Sequence, residues 1–210
     1  NYLINFANQY FKSELKVEDI LWTYSGVRPL QDTSEDNATA VTRDYSIKVN
    51  QEDGVPLINV FGGKITTYRK LAESVMDEVG LFIPKIREPW TDNAHLPGGD
   101  FSVYGSPKLI SDLLKAFPFL NAKWAMRLVK AYGTEAFEML GSVRNEEELG
   151  VNFGATLTQK EVEWLIKKEF ATSAEDILWR RSKLGLRLSE LQVRTLQDWM
   201  ANQNLKKSIF

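Results

Sequence analysis

Cysteine is absent from the 210 residues, which excludes disulfides and thiolate metal sites. Histidine occurs once, at His95, so no multi-histidine metal centre can form and no metal site is expected. No Gly-x-Gly-x-x-Gly is present, so the chain lacks the dinucleotide-binding fingerprint. No P-loop is present either: that motif needs Ser or Thr directly after its Gly-Lys, and here Ile65 follows Lys64. No run approaches the ~18 apolar residues of a membrane-spanning helix. Neither sign of charge dominates: 26 basic residues face 28 acidic ones for a net charge of -2, so no nucleic-acid partner is expected.

What is present is an ordinary globular composition, 43% apolar and 26% charged, enough for one large domain or two small ones. The stretch Val60-Phe61-Gly62-Gly63-Lys64-Ile65-Thr66-Thr67-Tyr68-Arg69 organises the first part. Leu57 to Phe61 have the length and β-branched content of a buried strand. Leu71, Ala72, Val75, Met76 and Val79 then recur at helical spacing. Strand, glycine pair and helix follow one another. Two glycines allow a sharp turn and a close approach of bare backbone. Thr66 or Thr67 can cap the helix. The first-turn N–H groups and the mobile charge of Lys64 then favour an anion or an electron-rich ring oxygen. On the residues alone two readings stand, a turn that binds nothing and an anion-facing site.

The chain begins at Asn1 inside an amphipathic pattern of Leu3, Phe6, Ala7, Tyr10 and Phe11, as a piece of a longer protein would. Residues near 2–12 are expected as a helix, and Ile20, Leu21, Trp22 and Tyr24 as a strand. Pro29 holds Arg28 extended. Residues 31–40 are polar and aperiodic, an exposed loop. Thr42 to Val49 alternate as a half-buried strand, Asn50 to Gly54 turn, and Leu57–Phe61 return antiparallel to it. That hairpin puts Arg43 and Lys64 at one end.

From Gly80 to Pro107 prolines and glycines crowd together and periodicity stops, so residues 85–105 form a connector between 1–84 and 106–210. His95 reads as a loop residue within it. Beyond, the pattern is helical. Ser106-Pro107 opens a helix with Leu109, Ile110, Leu113, Leu114 and Phe117 inward. Asn121 caps the next, with Trp124, Ala125, Leu128, Val129 and Tyr132 inward and Gly133 as its stop. Thr134 opens a short helix, and Ser173 caps a later one. Thr158 with Glu161, and Ser189 with Gln192, have capping-box spacing, each flanked by a hydrophobic staple. The charged runs Asn145–Glu148 and Arg180–Lys183 read as solvated faces, and the tryptophans as core.

Trp22 to Leu30, Thr42 to Tyr45, Asn59 to Glu73, Leu96-Pro97-Gly98-Gly99, Tyr132 to Ala136 and Glu175 to Gly185, taken in that order, resemble one family, the FAD-dependent, quinone-linked glycerol-3-phosphate dehydrogenases. The resemblance implies oxidation of sn-glycerol 3-phosphate to dihydroxyacetone phosphate, with FAD as hydride acceptor and quinone as final acceptor. It places Arg28, Arg43 and Lys64 at the substrate, with Lys64 and Arg28 catalytic. It places Gly62, Gly63, Lys64, Ile65 and Thr66 against the flavin. The fold it implies is α+β: a β-hairpin and strand-turn-helix remnant of a flavin-dependent oxidoreductase domain, then an all-α helical bundle domain. It also implies a cytoplasmic enzyme, peripheral on the inner face of the cytoplasmic membrane. Because the adenosine-diphosphate fingerprint is missing, the chain alone is expected to be a C-terminal fragment that holds no FAD and is inactive. Two alternatives stay open: a non-catalytic helical module for dimerisation (a homodimer) or for facing a membrane, and an oxygen-using glycerol-phosphate oxidase.

Overall fold

A computed structural model describes residues 1–27, 44–52, 54–83 and 87–207. The chain divides into two compact units, Asn1–Ala94 and His95–Phe210.

The first unit opens with a short helix, α1 (Tyr2–Ala7), which stops well before the expected end near residue 12. Asn8 is the reason. Its side-chain amide donates to the Leu15 carbonyl and its side-chain oxygen accepts the Leu15 N–H, folding the chain back on itself. The strand expected around residues 20–24 is absent: residues 21–27 carry no regular structure, and the Trp22 and Tyr24 rings stack with centroids 5.2 Å apart. Alternation of large side chains makes a strand only where a neighbouring strand takes up the main-chain hydrogen bonds. The hairpin does form. β1 (Tyr45–Glu52) pairs antiparallel with β2 (Val55–Gly62), from Tyr45 opposite Gly62 to Glu52 opposite Val55. Both strands run closer to the turn than expected, which contracts to the two residues that include Gly54 at φ +79°. α2 (Tyr68–Gly80) packs against both strands, and the Tyr45 hydroxyl lies 3.2 Å from Ser74 Oγ. Among the described residues no third strand joins, and Leu57, Val60 and Phe61 stay substantially exposed, so β2 is not the buried strand its composition suggests.

The second unit holds every fully buried apolar side chain found among the described residues, from Leu113 to Met200. Its helices are α3 (Ser106–Ala116), α4 (Ala122–Tyr132), α5 (Glu135–Leu140), α6 (Gln159–Lys168) and α7 (Glu190–Lys207). The α4 stripe buries as its spacing predicts, with Trp124, Ala125, Leu128, Val129 and Tyr132 all inward. Asn121 caps α4 by accepting the Trp124 N–H at 3.0 Å, and Gly133 ends it at φ +56°. α3 starts one residue earlier than expected, with Gly105 rather than Ser106 at its N-cap. The helical class holds, with one addition: a small antiparallel hairpin of β3 (Asn152–Gly154) and β4 (Leu157–Thr158) leads into α6. Its turn is left-handed at Ala155 (φ 48°) and Thr156 (φ 67°), where non-glycine residues cost about 1–3 kcal/mol each.

Two other sequence expectations are corrected here. Glu161 is no capping-box residue: it is 2% exposed and faces inward, and the Thr158 side chain makes no cap bond. The segment after Ser173 is a six-residue π-helical turn, Asp176–Arg181, rather than an α-helix. Residues 95–105, within the expected connector, lie against the helices. The Gly98 carbonyl accepts the Thr134 N–H at 3.0 Å, and the Thr134 hydroxyl binds Asp100. A Cβ on Gly98 would lie 2.2 Å from the Tyr132 carbonyl oxygen, and one on Gly133 1.8 Å from the Gly98 oxygen, so backbone meets backbone there with no room for a side chain.

Candidate functional site

The hairpin register brings the start of β1 and the finish of β2 to the same end, which is where the glycine turn begins. Gly62 has φ +72° and Gly63 φ +105°, a region where other residues are strained. At Gly63 the constraint is conformational, since an added Cβ would only touch Leu71 and Tyr45 at 3.6 Å. Lys64 is extended (φ -112°, ψ 147°) and half exposed, and its ammonium lies 3.5 Å from an Asp44 carboxylate oxygen. Its carbonyl accepts both the N–H and the hydroxyl of Thr67 at 3.0 Å. The Thr67 hydroxyl therefore donates backward instead of capping α2, although Thr67 does occupy the N-cap position. Ile65–Thr67 form one 3-10 turn, and Tyr68 continues it into α2.

No acidic residue sits in the first turn of either helix, so the positive end of the helix dipole is not neutralised from within. Ile65 is 88% exposed and Thr66 is exposed as well. Further along, Arg69 donates to Glu73 at 2.8 Å and pairs with Asp92 at 2.9 Å, while Thr91 and Lys70 also bind Glu73. The Thr91 hydrogen bond first, then that of Lys70, holds the Glu73 carboxyl below the usual carboxylate range. These contacts fix α2 and, among the described residues, leave Lys64 as the cation at the turn itself.

Gly62, Gly63, Lys64, Ile65 and Thr66 thus share one turn, half-buried at the glycines and exposed from Lys64 to Thr66, with Asp44 beside the lysine. Arg28 and Arg43 lie outside the described residues. Such a turn can receive an anion or the electron-rich edge of a ring. Backbone approach, helix polarity and one ammonium act on the same spot. The Lys64–Asp44 contact is no obstacle, because an exposed pair contributes only about 0–1 kcal/mol.

In the second unit, the polar centre that sequence reasoning missed is Arg127–Glu161–Tyr132. Both guanidinium Nη atoms donate to the Glu161 carboxylate at 2.6 Å, Nε donates to Thr156 Oγ1 at 2.9 Å, and Nη2 also reaches the Thr156 carbonyl at 2.9 Å. The Tyr132 hydroxyl donates to Glu161 at 2.7 Å. Burial disfavours the Arg127 cation, but the hydrogen bonds and charge of Glu161 outweigh it and hold the guanidinium protonated. Burial, then the Glu161 charge, pushes the Tyr132 phenol far above its ordinary range. The network is saturated by its own members and holds the left-handed β3–β4 turn in place. The one available sequence signal was Glu161 beside an apolar run, and capping-box spacing masked it.

The chain is 41% identical over 204 residues to a glycerol-3-phosphate dehydrogenase of Pseudomonas aeruginosa, covering 97% of this chain and 40% of that protein. It is 39% identical over 205 residues to a D-erythritol 1-phosphate dehydrogenase of Brucella abortus, covering 98% and 41%. It is 39% identical over 202 residues to the aerobic glycerol-3-phosphate dehydrogenase of Escherichia coli, covering 95% and 40%. The chain spans about two fifths of the length of these relatives. Residues 89–202 match the family model described as the C-terminal domain of alpha-glycerophosphate oxidase. That match takes in the whole helical core from Leu113 to Met200, and by it the chain belongs to the family of the alpha-glycerophosphate oxidase C-terminal domain.

Proposed function

We propose that this chain supplies the Lys64 turn and the helical domain of a flavoenzyme that oxidises the secondary alcohol of a polyol phosphate, with sn-glycerol 3-phosphate as substrate and dihydroxyacetone phosphate as product. The observation that carries the reading is Lys64 itself, set directly after two left-handed glycines at the hairpin end and ahead of a helix start without acidic residues. Names of the relatives support the substrate class: glycerol 3-phosphate and D-erythritol 1-phosphate are both phosphate monoesters of polyols.

The turn fits a flavin. Left-handed glycines let main chain lie close against a flat ring system, and the lysine and helix start favour its electron-rich pyrimidine edge. When bound, FAD supplies the hydride acceptor. Gly62, Gly63, Ile65 and Thr66 would hold it from this chain. Lys64 orients substrate and holds positive charge beside the oxygen where negative charge develops. Arg28 and Arg43 are proposed to grip the substrate phosphate, a dianion suited to planar guanidinium forks. The chain alone, lacking the dinucleotide fingerprint, is proposed not to retain FAD.

Quinone as the final acceptor belongs to the same proposal. The second reading, an oxidase delivering electrons to oxygen, is favoured by the family description, which names an oxidase. Steady-state assays of the full-length parent decide between them: electron transfer to a soluble quinone without hydrogen peroxide supports the dehydrogenase. In that parent, Lys64→Met is expected to lower kcat/KM for glycerol 3-phosphate by about 10²–10³ with flavin content unchanged. Normal turnover in the flavin-loaded variant would remove Lys64 from the chemistry.

A further inference from the structure

Within the helical unit, the outer face of α4 and the segment 181–187 enclose a groove of about 760 Å³. Six cationic side chains line it: Lys123, Arg127, Lys130, Arg181, Lys183 and Arg187. None of the described residues lining it is acidic, in a chain whose net charge is -2. Three of the six are engaged. Arg127 is forked onto Glu161. Arg181 donates twice to the Glu169 carbonyl, at 3.1 and 2.8 Å, and lies 3.9 Å from Asp176. Lys183 donates to the Trp179 carbonyl. Among the described residues, the side chains of Lys123, Lys130 and Arg187 have neither an ion-pair nor a hydrogen-bond partner.

Those three converge because the fold places them so. Lys123, Arg127 and Lys130 fall at i, i+4 and i+7 of α4, one face of a helix whose opposite face is buried in the core. Arg187 follows the 3-10 turn Leu184–Leu186, which buried Leu184 anchors. Met126 and Leu186, both partly exposed, add apolar surface to the same groove. Like charges brought together around a concavity repel one another, and the repulsion is relieved by an anion seated between them. Full charges on flexible stems suit phosphate. The concavity favours a soluble ligand over a bilayer, since a flat headgroup plane cannot reach cations set around a groove.

We propose that this groove is a binding site for a soluble, multiply charged phosphate ester, held by Lys123, Lys130 and Arg187, with the carbon skeleton against Met126 and Leu186. The groove shares no residue with the Lys64 turn, and the proposal stands whether or not the oxidoreductase reading does.

Pyrophosphate titrated into the 210-residue chain, followed by calorimetry at low ionic strength, is the test. Saturable binding is expected. It should weaken at least about ten-fold in Lys130→Glu/Arg187→Glu and change by less than about two-fold in Lys12→Glu, which makes the same kind of charge change at an exposed site outside the groove. If the double charge reversal does not fold, Lys130→Gln and Arg187→Gln carry the test, each with about a three- to ten-fold loss. Absent saturation, or equal weakening by Lys12→Glu, overturns the proposal. So does co-sedimentation with phosphatidylglycerol vesicles by a chain that ignores pyrophosphate, because the groove would then serve a lipid surface.

Discussion

Glu161 shows how much one residue can decide. It is nearly inaccessible, accepts three charge-assisted or neutral hydrogen bonds from Arg127 and Tyr132, and through Arg127 holds the strained Ala155–Thr156 turn. Removing one partner of a buried pair leaves the other uncompensated, at a cost of about 3–5 kcal/mol. Glu161→Ala is therefore expected to lower the unfolding free energy of the chain by that amount in urea. Arg127→Met/Glu161→Leu, which removes both charges, should recover much of the loss. A Glu161→Ala midpoint close to the parent's would show that the network is not structural. At Lys64 the opposite holds: it is half exposed in a weak surface pair, so its substitution should leave stability almost unchanged.

At the scale of an element, the π-helical turn Asp176–Arg181 depends on its start. The Asp176 carboxylate accepts the backbone N–H groups of Thr172 and Ser173 at 2.9 and 3.0 Å, while its own N–H donates to Ser173 Oγ at 3.1 Å. These bonds, the Thr172 N–H first, hold the carboxyl well below the usual carboxylate range. A depressed folded pKa means that the contribution is complete above the unfolded value near ~3.9 and is lost as pH falls below it. Asp176→Asn is expected to destabilise the chain by about 1 kcal/mol at pH 7, and the gap from the parent should narrow below about pH 4. Thermal unfolding at pH 7 and pH 3 measures both. A second element-scale constraint is the corner between α4 and α5, where Gly133 at φ +56° meets the Gly98 carbonyl. Gly133→Ala must either strain the backbone or push residues 96–99 away, and circular dichroism on heating should show a markedly lower midpoint.

Across the whole molecule the two units differ in how complete their cores are. The His95–Phe210 unit encloses a continuous apolar cluster, and helices α3 to α7 all contribute to it. The Asn1–Ala94 unit, among its described residues, has no fully buried apolar side chain, and a two-stranded sheet with one helix is marginal on its own. Residues 95–210 expressed alone are accordingly expected to unfold cooperatively with a helical spectrum. Residues 1–94 alone should show little fixed structure. A coil spectrum for 95–210 would mean that its core needs the first unit.

The sequence by itself determined what local chemistry governs: the antiparallel hairpin around Gly54, the left-handed glycine pair before Lys64, the Asn121 cap and Gly133 stop of α4, and the Ser189–Gln192 box, whose two bonds form at 2.9 and 3.4 Å. Each rests on residues within a few positions of one another, so spacing is enough. The family, too, was legible in short consecutive stretches, and the match over residues 89–202 together with the 39–41% identities over most of the chain bears that out. Tertiary structure alone decided the partners of Glu161, 29 to 34 residues away in sequence, and the meeting of Leu96–Gly99 with Tyr132–Thr134. It also decided that Leu57–Phe61 would lie half exposed and that residues 20–24 would not be a strand. Burial and strand pairing depend on what the rest of the chain brings alongside, and no periodicity within a segment records that.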